Sequence, residues 1–404
     1  MTTSRPSKTG IVSHVLPPSP SGQAMVLYRL LSGAPQGAFF LISREDYCGT
    51  KVASSASEKL AGRYYRLAPP HMIRASWIPG VSRAVDSLNA RIAVRSRARQ
   101  IADIARRERC GVLVGCTGDL YDLPATALAA RWAGLPFVPY IFDDYIEQWT
   151  GTARGIAARL EPAALRGARA VIVPNEFTRE EYERRCGVRG TIVRNPCSIP
   201  DLDALDRAER VFDPGAVHIV YTGAVYHANS DAFRNLIATI PRLTPTRVLL
   251  HIYTAQSVDD LGGHGVRGPN VVHHIHIHQS EVARVLRHAD ILFLPLAFRS
   301  PIQEVIRTSA PGKMGEYLSV RRPVLVHAPG NSFVSWYFRA NRCGIVVDNE
   351  DTGTLAGAIG RLLEDESLRE EVSGNARQAA ERDYRVEHAR KVFRELMNSV
   401  AGTG

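Results

Sequence analysis

The chain has 404 residues, 45% hydrophobic and 22% charged, with a formal net charge of +10. Such a length exceeds one ordinary core, so two domains are expected, and the composition excludes disordered and collagen-like classes. No apolar run approaches the roughly 18 residues of a membrane span. The six cysteines (48, 110, 116, 186, 197, 343) form no CxxC pair, which argues for free thiols in a reducing compartment over a disulfide frame or zinc site.

In chain order, IVSHVL (11–16) reads as the first strand, close enough to the start to leave no room for a signal peptide. PPSPSGQ (17–23) then turns into a helix, and the amides of Ser21, Gly22 and Gln23 are placed to face an anion, a pattern that many strand–helix turns share. GAFFLIS (37–43) is the next strand. Between residues 60 and 110, eleven arginines stand against Asp86, Asp103 and Glu108, among Tyr64, Tyr65, Met72, Ile73 and Trp77. The plain reading is a solvated Arg-rich helix at about 91–109. The functional reading is an anionic membrane surface, favoured over nucleic acid because no nucleic-acid module occurs elsewhere. GVLVGC (111–116), FVPYIF (137–142) and AVIVPN (170–175) continue the strand series. Asp143 and Asp144 of IFDDYIEQW follow a strand's carboxyl end, where catalytic groups sit; a cap on the next helix is the equal alternative.

A second series comprises TIVRN (191–195), VHIVYTG (217–223), RVLLHIYT (247–254), VVHHIHIH (271–278), DILFLPL (290–296), PVLVHA (323–328) and GIVVD (344–348). Helical patterns separate most of these runs, so the class is α/β with parallel sheets. The Pro- and Asp-rich stretch 195–215 separates the two series. The expected division is a first Rossmann-like domain at 1–200, with a last helix (387–404) packing back on it, and a second at 201–386. Gly263, Gly265 and Gly268 match GxGxxG, but a strand follows instead of a helix, which removes the dinucleotide fingerprint. Alternation puts His274, His276 and His278 on one strand face and His273 on the other, yet nothing supplies the rest of a zinc site, so histidines near a polar ligand edge are expected.

TSAPGKMGEYLS (308–319) reads as a helix start, with Ser309 as cap, Pro311 in the first turn, and Met314, Tyr317 and Leu318 inward. Lys313 is one of only five lysines in the chain, against 45 arginines. At a helix N-terminus a cation is misplaced unless an anion joins it; the plain reading pairs it with Glu316.

Taken together, GARAVIVPNEFTREEYERR, TIVRNP, IVYTGAVYHANSDAFRNLI, HADILFLPL, APGKMGEYLSVRRPVLVHAPG, CGIVVD and DTGTLAGAIGRLL resemble the family-4 retaining glycosyltransferases, whose GT-B architecture has two Rossmann-like domains. The resemblance covers nearly the whole chain and is strongest over 168–380. It implies a nucleotide-diphosphate sugar, UDP- or GDP-linked, held mainly by the second domain, an acceptor on the first, and no required metal or other cofactor. By resemblance, Glu316 meets the donor ribose. The stretch from Ser309 through Gly312 and Lys313 to Met314 carries the diphosphate, and Gly223 lies under the phosphates. The backbone near Ile277 meets the base, while Gly22 and Gln23 belong to a loop that closes over the donor. Asp143 and Asp144 stand at the acceptor side, and Lys313 stabilises the leaving group. Departures are Thr308 where an acid is common, no Arg/Lys pair in GAVYHANSD (Arg299 supplying part of that charge), no acceptor-side histidine, and Arg321 or Arg322 in place of a helix-ending glycine. The implied activity is retaining transfer to a glycan or lipid-linked glycan in bacterial polysaccharide or glycoconjugate synthesis, in the cytoplasm or on the inner face of the membrane through 60–110. A nucleotide-sugar 2-epimerase and a non-catalytic nucleotide-sugar-binding protein share the architecture and are the alternatives.

Overall fold

The computed structural model describes residues 8–48, 59–73, 82–275 and 277–402; Trp77 and His276 lie outside them. The chain forms two units, Met1–Arg194 with Ala389–Gly404, and Asn195–His388.

The first unit is built on seven strands: β1 (Thr9–Val12), β2 (Phe39–Ser43), β3 (Arg63–Arg66), β4 (Val112–Cys116), β5 (Phe137–Tyr140), β6 (Ile172–Val173) and β7 (Thr191–Ile192). Their order is β3-β2-β1-β4-β5-β6-β7, with parallel pairing throughout. β1, β2, β4 and β5 are buried along their whole length, as expected of parallel strands covered on both faces. On one face Ile11, Leu41 and Val114 pack with Leu27 and Leu30 of helix Gly22–Leu31, and with Phe393 and Met397 of the last helix, Val386–Ala401. On the other face Val12, Phe40 and Leu113 meet Ala98 and Ile101 of helix Ser82–Arg107, and Leu123 and Ala129 of helix Asp122–Ala133.

Two expectations change here. β3, RYYR, has charged ends and a half-exposed middle, so it carries neither the alternation nor the apolar run that marks a strand; it forms the sheet edge beside β2. TIVRN does not begin the second series. Thr191 and Ile192 pair with Ile172 and Val173, and β7 closes the first sheet.

The second unit has six parallel strands: β8 (Val217–Thr222), β9 (Val248–Thr254), β10 (Val271–Ile275), β11 (Ile291–Pro295), β12 (Val324–His327) and β13 (Ile345–Val347), in the order β10-β9-β8-β11-β12-β13. Phe233 and Leu236 of helix Ser230–Thr239 pack with Ile252, Phe293, Leu325, Leu355 and Ile359 in its core. The stretch 195–215 belongs to this unit. Asp201 caps the short helix Leu202–Asp206, and the Arg287 guanidinium grips Asp206 at 2.7 and 2.8 Å.

The histidine-rich strand ends sooner than alternation implied. β10 stops at Ile275, so His278 leaves its face and caps helix Gln279–His288. His274 instead ends a row across three strands: His218 meets His251 at 2.9 Å, and His251 meets His274 at 2.8 Å. Among the described residues no group of three or more His, Cys, Asp or Glu could hold a metal ion. No described helix is long and apolar enough to cross a membrane.

Candidate active site

In the second sheet the chain order reverses between β8 and β11, and such switch points place ligands at the carboxyl ends of the strands. The stretch 308–319 lies at this edge, with a geometry that corrects the expected helix start. Helix Gln303–Thr308 precedes it, and Ser309 ends that helix instead of capping the next. Pro311 disfavours helical backbone at Ala310, which separates the two segments. Asn195 Nδ2 donates to the Ala310 carbonyl at 2.7 Å and pins the turn. Gly312 lies in that turn, and Lys313 occupies the N-cap position of helix Met314–Ser319 without a side-chain capping bond. Met314, Tyr317 and Leu318 are fully buried. The Met314 sulfur accepts from the Tyr384 hydroxyl at 3.4 Å, so its side chain serves the core.

Lys313 turns back over β8. Its ammonium lies 4.2 Å from the centre of the Tyr221 ring and donates to the Tyr221 hydroxyl at 2.8 Å. That hydroxyl also accepts from Asn229 and donates to the Ala224 carbonyl, so its bonding is complete. Gly223 has φ +122, and a Cβ there would lie 2.9 Å from Lys313 Nζ. The positive φ favours glycine, and a side chain there would also displace the Lys313 ammonium. The Thr222 amide donates to the Tyr317 hydroxyl at 2.9 Å, tying the strand end to the helix. Among the described residues no carboxylate forms an ion pair with Lys313. Burial pushes its amine down to about 8, with Glu316 pulling the other way. Glu316 lies on the first turn and accepts from Gln279 Nε2 at 2.9 Å. Ile277, half-buried past the end of β10, precedes Gln279 by two residues.

Gly223, Lys313 and Glu316 therefore share one edge. Of the residues that hold them there, Tyr221 and Gln279 were not singled out in the sequence, and Tyr317 was expected only as an inward-facing core residue. The two tyrosines fit an apolar pattern, and Gln279 carries no local signal. Arg299 is not drawn in; its guanidinium is 81% exposed and pairs with Glu350 at 2.9 Å. Glu304 and Arg307 pair with each other at 2.8 Å, and Thr308 is buried with its hydroxyl on the Glu304 carbonyl.

The first unit presents its own carboxyl edge. Ser21 caps helix Gly22–Leu31, and Gln23 donates to Ser13 Oγ at 2.8 Å and to the Thr117 carbonyl at 3.1 Å. Gly118, with φ +108, leaves room for the His14 ring and the Gln23 amide; a Cβ would come within 2.4 Å of the ring. Burial holds His14 below its ordinary value, with Asp119 pulling the other way. Asp144 is committed to structure. One oxygen accepts from the amides of Ile146 and Glu147 at 2.9 Å, and the other pairs with Arg185 at 2.9 Å, itself 3.0 Å from Glu161. Asp144 thus caps the turn 145–148 and not the next helix, Gly151–Leu165, whose N-cap position is Thr150. Asp143 keeps solvent access and has no hydrogen-bond or ion-pair partner for its carboxylate among the described residues. Desolvation and the Asp144 charge push it up to about 6. A cavity of about 1080 Å³ in the second unit lies at the opposite edge, against Val217, Asp290 and Pro323 at the amino ends of β8, β11 and β12.

Residues 216–365, most of the second unit, match the model of a family described as Glycosyl transferases group 1. No curated protein matches the chain in sequence. Solved structures match nearly all of it. Sucrose-phosphate synthase from Thermosynechococcus elongatus superposes with a TM-score of 0.68 at 13% identity, covering 98% of this chain and 100% of that one. Anabaena HepE in complex with UDP and glucose gives 0.67 at 12%, covering 97% and 100%. An α,α-trehalose-phosphate synthase (UDP-forming) from Burkholderia xenovorans, in complex with glucose-6-phosphate, gives 0.65 at 14%, covering 96% and 100%. The fold is GT-B. At these identities the likeness is one of architecture: two units, each a parallel sheet between helices.

Proposed function

We propose that this chain is a glycosyltransferase that moves a sugar from a nucleotide diphosphate, UDP- or GDP-linked, to a glycan or lipid-linked glycan. The single observation that carries this reading is Lys313: an ammonium desolvated against Tyr221, set on Gly223, and without a carboxylate partner. A partly buried cation without an anion paired to it is unfavourable, and a diphosphate over Gly223 supplies the missing charge. The family match over 216–365 and the UDP-bound GT-B structures support the same assignment.

In this reading the backbone at Gly223 and the turn 309–312 approach the phosphates closely. Glu316, oriented by Gln279, accepts from the ribose hydroxyls, and the base lies toward Ile277. As the bond between sugar and diphosphate breaks, negative charge grows on the leaving oxygen, where Lys313 already stands; stabilisation aimed at developing charge acts on the barrier itself. Retention follows when the acceptor attacks from the face the diphosphate leaves, with that diphosphate drawing off the acceptor proton. Gly22 and Gln23 supply donor-closing backbone, and Asp143 is the acceptor-side carboxylate, Asp144 being engaged elsewhere. The resulting work is polysaccharide or glycoconjugate synthesis at the cytoplasmic side of a membrane.

Thermal shift and calorimetry with UDP, GDP, ADP, CDP and dTDP beside their nucleosides test the assignment. One diphosphate should stabilise the protein, by roughly 2.7 kcal/mol at a hundred times its Kd, and Lys313→Ala should remove that shift. If no diphosphate binds, the donor assignment fails.

A further inference from the structure

The cavity of about 1080 Å³ at the amino edge of the second sheet has the size of a small-molecule site, and neither Gly223, Lys313 nor Glu316 lines it. Two half-buried charges, Arg322 and Asp290, stand just before β12 and β11 and wall it together. Each is aimed by one bond to the backbone. Arg322 Nε donates to the Arg287 carbonyl at 2.5 Å, and Asp290 accepts from the His218 amide at 2.8 Å. Asp290 attracts Arg322, yet neither forms an ion pair among the described residues, so these opposite charges share a wall without reaching each other. Burial and the Arg287 charge lower the Arg322 guanidinium from its ordinary value, and Asp290 and Asp206 offset this only in part.

The other charges of the cavity divide into engaged and open groups. Arg287 is engaged: it grips Asp206 and donates to the carbonyls of Val320 and Arg321. Arg242 and Arg369 are tied to helix Thr352–Glu364, one through the Thr352 hydroxyl and the other through the Leu362 and Leu363 carbonyls. Arg321 is exposed, and its guanidinium has no partner among the described residues. It follows helix Met314–Ser319 at φ +53, where glycine is the unstrained residue. Arg321, not Arg322, thus takes the place of the helix-ending glycine. Glu364, Glu366 and Glu370 also line the cavity, exposed and without an ion pair among the described residues. Arg322 and Asp290 wall a smaller cavity as well, of about 190 Å³, with Arg210, Asp213 and His288. The His288 Nδ1 is buried without a hydrogen-bond partner. Open cations and open acids therefore line one space.

A ligand with one oxyanion and several hydroxyl groups answers both kinds of group at once. Guanidinium nitrogens hold a phosphate by charge-assisted bonds, and a carboxylate accepts from hydroxyls. A neutral sugar leaves the arginines open, while a polyphosphate meets the acids as a like charge. We infer that this cavity is a second ligand site and takes a sugar monophosphate, with its phosphate on Arg321 and Arg322 and a hydroxyl on Asp290. The site lies the length of β8, about 20 Å, from Gly223. Its occupant is bound apart from the donor site, and the inference stands whether or not Lys313 binds a diphosphate.

Isothermal titration calorimetry of the full chain with glucose 1-phosphate, glucose 6-phosphate, inorganic phosphate and glucose tests this. At least one sugar phosphate should bind, inorganic phosphate about tenfold more weakly, and glucose not measurably. Arg322→Gln should weaken sugar-phosphate binding about tenfold or more, as expected for the loss of a charge-assisted hydrogen bond. Asp290→Asn should weaken binding of the sugar phosphate and leave that of inorganic phosphate unchanged. Arg322 also holds a helix-end carbonyl, so Arg321→Gly is the second variant. It removes a cation and relieves the backbone at φ +53, so binding should fall while the melting temperature holds or rises. Three outcomes overturn the inference: neither sugar phosphate binds, inorganic phosphate binds as tightly as the sugar phosphate, or both arginine variants keep full affinity. Binding that Lys313→Ala abolishes would place the ligand in the donor site and overturn it equally.

Discussion

At the carboxyl edge of the first sheet, charges are answered by charges. Arg97 is shared by Asp119 and Asp122, and Arg185 by Asp144 and Glu161. At the carboxyl edge of the second sheet, Lys313 is set against a ring and a hydroxyl with no acid paired to it. Both edges are desolvated, so the contrast is one of closure. A closed pair stabilises a fold and gains little from a ligand, while an open cation retains its desolvation cost until an anion arrives. A conspicuous acid pair in sequence, Asp143 and Asp144, is therefore half structural, and a lone lysine is the better guide to a site.

The comparison breaks most readily at Arg185. Arg185→Ala leaves Asp144 and Glu161 buried without their cation and should cost about 3–5 kcal/mol, read by denaturant unfolding. A loss under 1 kcal/mol would mean that the first edge is not closed by this pair. Lys313→Ala should leave stability nearly unchanged and weaken nucleoside-diphosphate binding by about 2–3 kcal/mol, while nucleoside binding stays the same. Equal weakening of both ligands would show that the lysine holds the pocket and not the phosphates.

The histidine row sharpens the contrast through pH. Burial and the adjoining His274 and His218 hold His251 at about 4, below its ordinary 6.5. A histidine whose value is depressed by folding binds its proton more readily in the unfolded chain. Its contribution is therefore present above pH 6.5 and is lost as pH falls toward 4. The second unit should lose on the order of 3 kcal/mol across that window, and His251→Gln should flatten the slope in urea titrations at stepped pH. The smallest effect belongs to Glu316→Gln. It should reduce nucleoside and diphosphate affinity alike by about 1 kcal/mol, and unchanged affinity for both would take Glu316 out of the site.

Much of the fold was legible because its strands are apolar runs flanked by turns, and parallel sheets bury such runs on both faces. β3 escaped because Arg63 and Arg66 end it, and TIVRN was placed in the wrong series because pairing with Ile172 leaves no local trace. Of the candidate site, Lys313 stood out by its type at a helix start, while Gly223 and the ribose role of Glu316 came only from the family resemblance. Ser309 was misassigned because the capping pattern is local, whereas the buried Val305, Ile306 and Thr308 extend the preceding helix up to it. Arg299 had the right charge and the wrong neighbour, since Glu350 claims it.

The sequence by itself determined the α/β class, most of the two strand series and the position of a lysine just after a Pro-Gly turn, because periodicity and turn chemistry act over a few residues. Only the tertiary structure decided which charges are spent. Residues as distant as Arg185 and Asp144, or Tyr221 and Lys313, meet through the sheets, and whether a charge finds a partner there separates a residue that holds the fold from one left open for a ligand.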